Sequence, residues 1–203
     1  MSTTPDNGAP KLPEDLMCNA TVADTTQPMP WTSENVARDF SISREEQDIF
    51  AAASQQKAEK AQKAGLFDEE ICPITTTWKN PATGQEETIV VSQDEGIRPG
   101  TTAQGLSKIR SAFPQWAPAT TTGGNASQVT DGAAAILLMR RATAEKLGQP
   151  ILAKFVHSTV TGLAPRIMGI GPTYAIPKLL QRVGLTVDDI DVFEINEAFA
   201  SMV

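Results

Sequence analysis

Asn196 stands where an apolar run, Ile190 to Ile195, gives way to Asn196-Glu-Ala-Phe-Ala200. The alternation predicts a strand running into a helix. The tip of a strand at a helix N-terminus gathers unpaired amides and the positive end of the helix dipole, and α/β enzymes place polar groups against a ligand there. A side-chain amide at this point can polarise a water or a carbonyl oxygen as one member of an oxyanion hole. Asparagine is also a favoured N-cap, so the position has a purely structural explanation as well. A second candidate lies in the small-residue loop Thr120-Thr-Thr-Gly-Gly-Asn-Ala-Ser127, followed by Asp131-Gly132. Glycines let a ligand chain approach the backbone, and Ser127 offers a hydroxyl to an amide-bearing ligand. Arg98, in Asp94-Glu-Gly-Ile-Arg-Pro-Gly100, reads either as a solvated loop charge or as a phosphate contact.

Other chemistry is excluded by residue type or spacing. Met168-Gly-Ile-Gly-Pro172 imitates a dinucleotide loop, but Tyr174 stands where the third glycine is needed and Pro172 removes an amide donor. It reads as a rigid turn into a helix. The chain holds one histidine and two cysteines, so no metal site of the usual nitrogen and sulfur ligands can be assembled. His157 falls within a β-rich run and reads as structural. Cys18 sits in an irregular lead-in with no cation or helix start to activate it, and Cys72, before Pro73, reads as a small buried apolar side chain.

The elements that must position these residues follow from local signals. Residues 1–31, rich in Pro, Thr, Asn and Asp without apolar period, are expected to be a disordered or extended lead-in. Order is expected from Thr32, with Thr32 or Ser33 capping a short helix to Phe40. Ser43 and Glu46 form a capping box for a helix reaching Ala64, stopped by Gly65. Its apolar face is expected to be Ile49, Phe50, Ala53, Ala58, Ala61 and Ala64, its polar face solvated. Residues 71–78 and 87–92 predict strands about an Asn80-Pro-Ala-Thr-Gly84 turn. A loop-rich stretch, 94–124, contains a short helix near 103–109. Further strands are expected at 132–139, 151–160 and 190–195, with helices at 143–147 and from Thr173 to Val183. In the last of these Pro177 is tolerated only because it falls near the first turn. Strands alternating with helices predict an α/β protein.

Six segments then carry a resemblance. Thr32-Ser-Glu-Asn-Val-Ala37, Ile42-Ser-Arg-Glu-Glu-Gln47, Ser54-Gln-Gln-Lys-Ala58, Gly124-Asn-Ala-Ser127 with Asp131-Gly-Ala-Ala134, Met168-Gly-Ile-Gly-Pro172 and Asn196-Glu-Ala-Phe-Ala200 occur in this order across about 170 residues. Together they resemble the thiolases, and among these the peroxisomal 3-ketoacyl-CoA type. The resemblance implies a partial thiolase fold, with mixed five-stranded sheets, helices and a loop domain, incomplete in both halves. Residues 32–148 would be the later part of the N-terminal domain including the loop domain, and 149–203 the start of the C-terminal domain. It implies acyl transfer to coenzyme A and thiolytic cleavage in fatty-acid β-oxidation. Asn196 would hold the oxyanion-hole water. Ser127 would touch the pantetheine arm, Met168 and Phe199 would line the acyl and pantetheine channel, and Arg98 would lie near the nucleotide end. Coenzyme A and acyl-CoA would be substrates, with no cofactor. The family's nucleophilic Cys, its Gly-His-Pro histidine and its second Cys have no counterpart among these 203 residues. The chain is therefore expected to be truncated at both ends and inactive alone. The alternative is a catalytically dead remnant that acts as a coenzyme A-binding or partner-interaction module.

Composition sets the remaining limits. Two-fifths apolar and one-fifth charged is ordinary globular composition. A net charge of −7 with scattered Lys and Arg excludes a nucleic-acid surface. No apolar run is long enough to span a bilayer. The first residues lack a secretory pattern and the last lack a Ser-Lys-Leu signal, so an intracellular, soluble protein is expected, peroxisomal by resemblance. A homodimer, or association with an intact thiolase, is the partnership the resemblance implies.

Overall fold

A computed structural model describes residues 13–116, 118–130 and 132–203. The first part of the expected lead-in and Asp131 of the Asp131-Gly132 pair lie outside the described residues. The chain packs as two units, residues 42–128 and residues 1–41 with 129–203. The division between 148 and 149 that the resemblance implies is one of chain order, a different division.

The 42–128 unit is organised by one helix, Arg44–Lys63 (α4, the fourth in the chain after the three short helices given below). Its start is fixed by the predicted capping box, in which Ser43 N–H donates to Glu46 Oε2 at 2.8 Å and Glu46 N–H to Ser43 Oγ at 3.2 Å. Glu45 and Glu46 oppose the positive end of the dipole and Lys60 and Lys63 the negative end. Gly65 leaves the helix at φ +69°, where a Cβ would be strained. The buried face is not the predicted one. Gln47, Asp48, Ala51 and Ala52 are buried, whereas Ile49 is 54% exposed. Polar partners, rather than apolar area, decide which side of α4 turns inward. Ala51 and Ala52 form a small core with Leu106, with Ala103 packed against it. Leu106 ends the short helix Ala103–Leu106 (α5), capped by Thr102. Strands Ile74–Lys79 (β1) and Glu86–Val91 (β2) pair antiparallel, Ile74 opposite Val91 and Lys79 opposite Glu86. Asn80 closes their turn: its Oδ1 accepts from Ala82 N–H, its N–H reaches Gln85 O, and Gly84 adopts φ +72°.

The other unit corrects the expected lead-in. Glu14–Met17 (α1) and Ala20–Thr25 (α2) are helical, and Met29–Asp39 (α3) starts ahead of Thr32. Asn19 caps α2, its Oδ1 accepting from Thr21 and Val22 N–H, and Pro at N1/N2 suits the start of α3. Thr32 is not a cap; its hydroxyl donates back to Met29 O at 2.6 Å. Residues 32–37 of α3 are all buried although four of them are polar. The unit continues with Arg141–Lys146 (α6), a 3₁₀ segment Pro165–Ile170, Gly171–Val183 (α7), and 3₁₀ turns Val187–Asp189 and Ala200–Met202. Pro177 lies in the interior of α7, not its first turn, and is exposed, so water can reach the carbonyl whose partner is lost.

The strands expected at 132–139, 151–160 and 190–195 do not form ladders among the described residues, where the one sheet is β1–β2. A strand buried on both faces needs a neighbour on each edge. The described residues supply none, and Leu152 is 95% exposed. The fold is thus a mixed helical structure with a small antiparallel sheet.

Candidate functional site

Two of the predicted site residues, Ser127 and Arg98, belong to the 42–128 unit, and α4 builds the frame around both. At its N-terminal end, Asp48 is 2% exposed and its Oδ2 accepts from Arg44 Nε at 2.7 Å. Its other oxygen accepts from Asn125 Nδ2 at 3.1 Å. Asn125 in turn closes the glycine-bearing loop: Nδ2 donates to Thr120 O, Oδ1 accepts from Thr122 N–H, and Thr122 Oγ1 accepts from the amides of Gly124 and Asn125. The buried polar groups of Asp48, Thr122 and Asn125 thus have partners, as a low-dielectric interior demands. The loop needs its glycine at 124, since a Cβ there would come within 2.7 Å of Leu106 Cδ2 and 2.8 Å of Ile109 Cδ1.

At its C-terminal half, α4 docks the Arg98 loop. Gln62 Nε2 donates to Asp94 O and Gln56 Nε2 to Thr101 O, while Gln55 Oε1 accepts from Arg98 N–H and Glu59 Oε2 from Gly100 N–H. The bond from Lys63, and then the Gly100 amide, lower the Glu59 pKa below its ordinary value. The polar face expected to be solvated is therefore a loop-binding face. Its signal in the sequence is the run of amide and carboxylate side chains at 55, 56, 59 and 62, spread over about two helical turns, opposite a loop that offers backbone N–H and C=O groups. The two loops meet where Gly96 packs against the carboxamide of Gln128, leaving no room for a Cβ. Ser127 and Arg98 are both exposed, and Ser127 Oγ donates to Gln128 O at 3.1 Å. Beside the Thr120–Ser127 loop lies a cavity of about 480 Å³ lined by Ile109, Arg110, Ser111, Ala112, Pro114 and Gly123. Sequence reasoning missed it; Arg110 between small residues is the one trace it leaves. An exposed serine hydroxyl, an arginine on a docked loop and a concave surface with a second arginine suit an anionic ligand with an amide-bearing arm.

Met168, Phe199 and Asn196 belong to the other unit. Met168 is exposed on the 3₁₀ segment, which α3 holds from one side. Asn35 Nδ2 donates to Arg166 O at 3.0 Å, and the Arg166 guanidinium takes both carboxylate oxygens of Asp39. That fork holds the Asp39 pKa below its ordinary 3.8. Phe199 is buried, and its carbonyl accepts from Met202 N–H at 3.0 Å. The Met202 side chain fills the space over Gly169, so the turns carrying Met168 and Phe199 are neighbours. Ser201 Oγ and Ser33 Oγ, both buried, share a hydrogen bond of 2.7 Å. Asn196 is exposed and does not cap a helix: the following turn starts at Ala200, with Phe199 as its N-cap. Its amide makes no hydrogen bond among the described residues and is available to a ligand or water.

The remaining nucleophile and base candidates take part in none of the hydrogen bonds described above. His157 is exposed. Cys18, between α1 and α2 rather than in extended chain, donates Sγ–H to Glu14 O at 3.5 Å. Cys72 is exposed, not buried as read from the sequence. Among the described residues no cluster of metal-ligating side chains occurs, and no helix is long and apolar enough to cross a membrane.

Comparison with known proteins places this architecture. Residues 8–142 match the thiolase N-terminal domain and residues 149–203 the thiolase C-terminal domain. The chain is 59% identical to the peroxisomal 3-ketoacyl-CoA thiolase of Yarrowia lipolytica over 174 residues, 86% of this chain and 41% of the relative. It is 56% identical to the human peroxisomal 3-ketoacyl-CoA thiolase over 197 residues, 97% of this chain and 46% of the relative. Among solved structures it superposes on the dimeric peroxisomal thiolase of Saccharomyces cerevisiae with a TM-score of 0.85 and 48% identity, covering 98% of this chain and 48% of that one. The acetyl-CoA acetyltransferase of Bacillus anthracis gives 0.79 and 40% identity, over 86% of this chain and 42% of that one. The chain thus spans under half the length of these relatives, and it belongs to the thiolase family.

Proposed function

We infer that this chain supplies the coenzyme A-facing and oxyanion-facing parts of a 3-ketoacyl-CoA thiolase. The parent reaction is thiolytic: an acyl group of 3-ketoacyl-CoA passes to coenzyme A in fatty-acid β-oxidation. Coenzyme A and acyl-CoA enter as substrates, and the reading calls for no cofactor. Residues 32–148 serve as the later part of the N-terminal domain with its loop domain, and 149–203 as the start of the C-terminal one. Residence in the peroxisome and a homodimeric assembly follow the relatives' names and are part of the same reading.

Each residue then has a task. Arg98 offers its guanidinium to the phosphates at the nucleotide end, and Ser127 its hydroxyl to the pantetheine amides. Met168 and Phe199 give the channel its apolar wall. Asn196 holds a water against the thioester oxygen, where negative charge grows as the carbonyl is attacked; a preset donor there lowers the barrier because it need not reorganise. The observation that supports this best is the side-by-side docking of the Arg98 and Ser127 loops on α4, joined through Gly96 and Gln128. Calorimetric titration tests it. Coenzyme A should bind more tightly than pantetheine. Arg98→Ala should erase much of that difference, whereas Ser127→Ala should weaken both. Equal affinity for the two ligands in the unsubstituted chain would remove the assignment of Arg98.

Asn196 is the one catalytic position of the family matched here, and without the family's nucleophilic Cys there is no attack whose developing charge its water could stabilise. Thiolysis of acetoacetyl-CoA by this polypeptide should therefore stay at background, and turnover that Asn196→Ala abolishes would overturn that statement. The second reading, a coenzyme A-binding or partner-interaction module without catalysis, is favoured by the exposed positions of Cys18, Cys72 and His157. It predicts binding without acylation of either thiol.

A further inference from the structure

The cavity beside the Thr120–Ser127 loop has two walls, and one ion pair on α4 reaches both. Arg44 Nη2 donates to Leu106 O at 2.7 Å and to Ile109 O at 3.0 Å, fastening the Ile109–Pro114 wall where it leaves α5. Asp48, paired with Arg44 through Nε, takes Asn125 Nδ2 and so fastens the Gly123 wall. The walls also touch directly, Ala112 N–H donating to Thr121 O at 2.8 Å. Arg44 and Asp48 are one turn apart on the same helix, so the spacing of their charged groups is set by α4. Asp48 is 2% exposed and carries an ion pair and an amide donor. Such an arrangement costs desolvation, and replacing it with apolar residues is often no less stable. What it supplies is direction: three donor–acceptor bonds that hold at one geometry, which an apolar contact would not.

From this geometry we propose that Arg44 and Asp48 are positioning residues: a clamp that keeps the two cavity walls in register and thereby sets affinity for coenzyme A. The last clause rests on the coenzyme A reading above; the clamp itself does not. Neither residue touches the ligand in this proposal. Arg44 acts on the Asn125 side only through Asp48, and that makes the idea separable from a local structural role.

Two measurements on the full chain test it. In the first, hydrogen exchange is followed in Arg44→Lys and Asp48→Asn. Lys keeps the charge but cannot fork to two carbonyls and a carboxylate together. Arg44→Lys should speed exchange at Thr122, Gly124 and Asn125, which Arg44 does not contact, as well as at the turn following Leu106. Asp48→Asn should speed exchange at both walls, with α3 and the 165–170 segment unchanged. Loosening confined to 106–109 in Arg44→Lys, or to 120–125 in Asp48→Asn, would overturn the clamp. In the second, Trp31→Phe and Trp78→Phe leave Trp116 as the sole indole; its ring lies 5.7 Å from Phe113, beside the cavity lining. Adding Asp48→Asn should raise acrylamide quenching of Trp116 and weaken coenzyme A binding tenfold or more, with helical circular dichroism retained. Unchanged affinity together with altered exchange would leave the clamp standing and refute its role in binding. If the unsubstituted chain binds no coenzyme A, the functional reading is lost, and the clamp is still decided by the exchange data.

Discussion

Gly124 shows how a single missing atom shapes this site. The space a Cβ would take is already filled by the ends of Leu106 and Ile109. Gly124→Ala should therefore cost about 1–3 kcal/mol by overpacking, read as a lower urea midpoint at constant slope. Gln47 makes the opposite case. It is 1% exposed and its Oε1 has no hydrogen-bond partner among the described residues, while its Nε2 makes only a 3.4 Å bond to Ile42 O. An unsatisfied buried acceptor costs more than it returns, so Gln47→Met should stabilise by about 1 kcal/mol in the same assay. At this scale the sequence was legible where a residue acts through its own type. The arginine, the hydroxyl and the free amide of the site could be picked out as Arg98, Ser127 and Asn196. Asp48 and Asn125 could not, because their importance lies in meeting each other across 77 positions.

Elements were legible to the extent that their signals are local. The Ser43–Glu46 capping box and the Asn80–Gly84 turn, with the stop at Gly65, all act within a few residues of the feature they fix. Ser43→Ala should accordingly cost about 1 kcal/mol, since Glu46 N–H loses its acceptor Oγ and only the backbone half of the box, Ser43 N–H to Glu46 Oε2, remains. Burial was not legible in the same way. The face of α4 that turns inward is chosen by the Leu106 and Ile109 carbonyls, the Thr120–Ser127 loop and the 94–101 loop, none of which appears in the helix's own periodicity. The early helices were hidden by Pro and Thr, although Asn19 before Ala20 was a usable cap signal. The joint between α3 and the Met168 segment carries a pH dependence. Arg166 lowers the Asp39 pKa below 3.8, so the pair adds stability above that value and loses it as pH falls through the lower folded pKa. Asp39→Asn should then be less stable than the unsubstituted chain at neutral pH, with the gap closing below about pH 4 as the carboxylate takes its proton. Both side chains are about a third exposed, so the gap is modest and should shrink in high salt.

For the molecule as a whole, the deciding quantity is apolar surface that finds no cover. Ile136, Leu137 and Leu138 are each more than three-quarters exposed, as are Leu152 and Val160, with Phe155 at 72% and Val192 at 71%. These residues come from the three runs read as strands, the first of them as a buried one. Their composition calls for a sheet interior, but composition cannot say where the neighbouring strands come from, and among the described residues none pairs with them. Covering each such side chain would contribute roughly 1.5–3 kcal/mol, so the gain from association exceeds what one side chain's ordering would cost. Unpaired amides and carbonyls in the same runs add a template for strand addition. Light scattering of the isolated chain should therefore show concentration-dependent assembly, and a hydrophobic dye should bind strongly at low concentration. Leu137→Lys with Leu152→Lys should reduce both signals without lowering helical circular dichroism, because neither residue lies in a helix. A chain that stays monomeric and dye-silent up to high concentration would mean that these runs are covered within one molecule in solution.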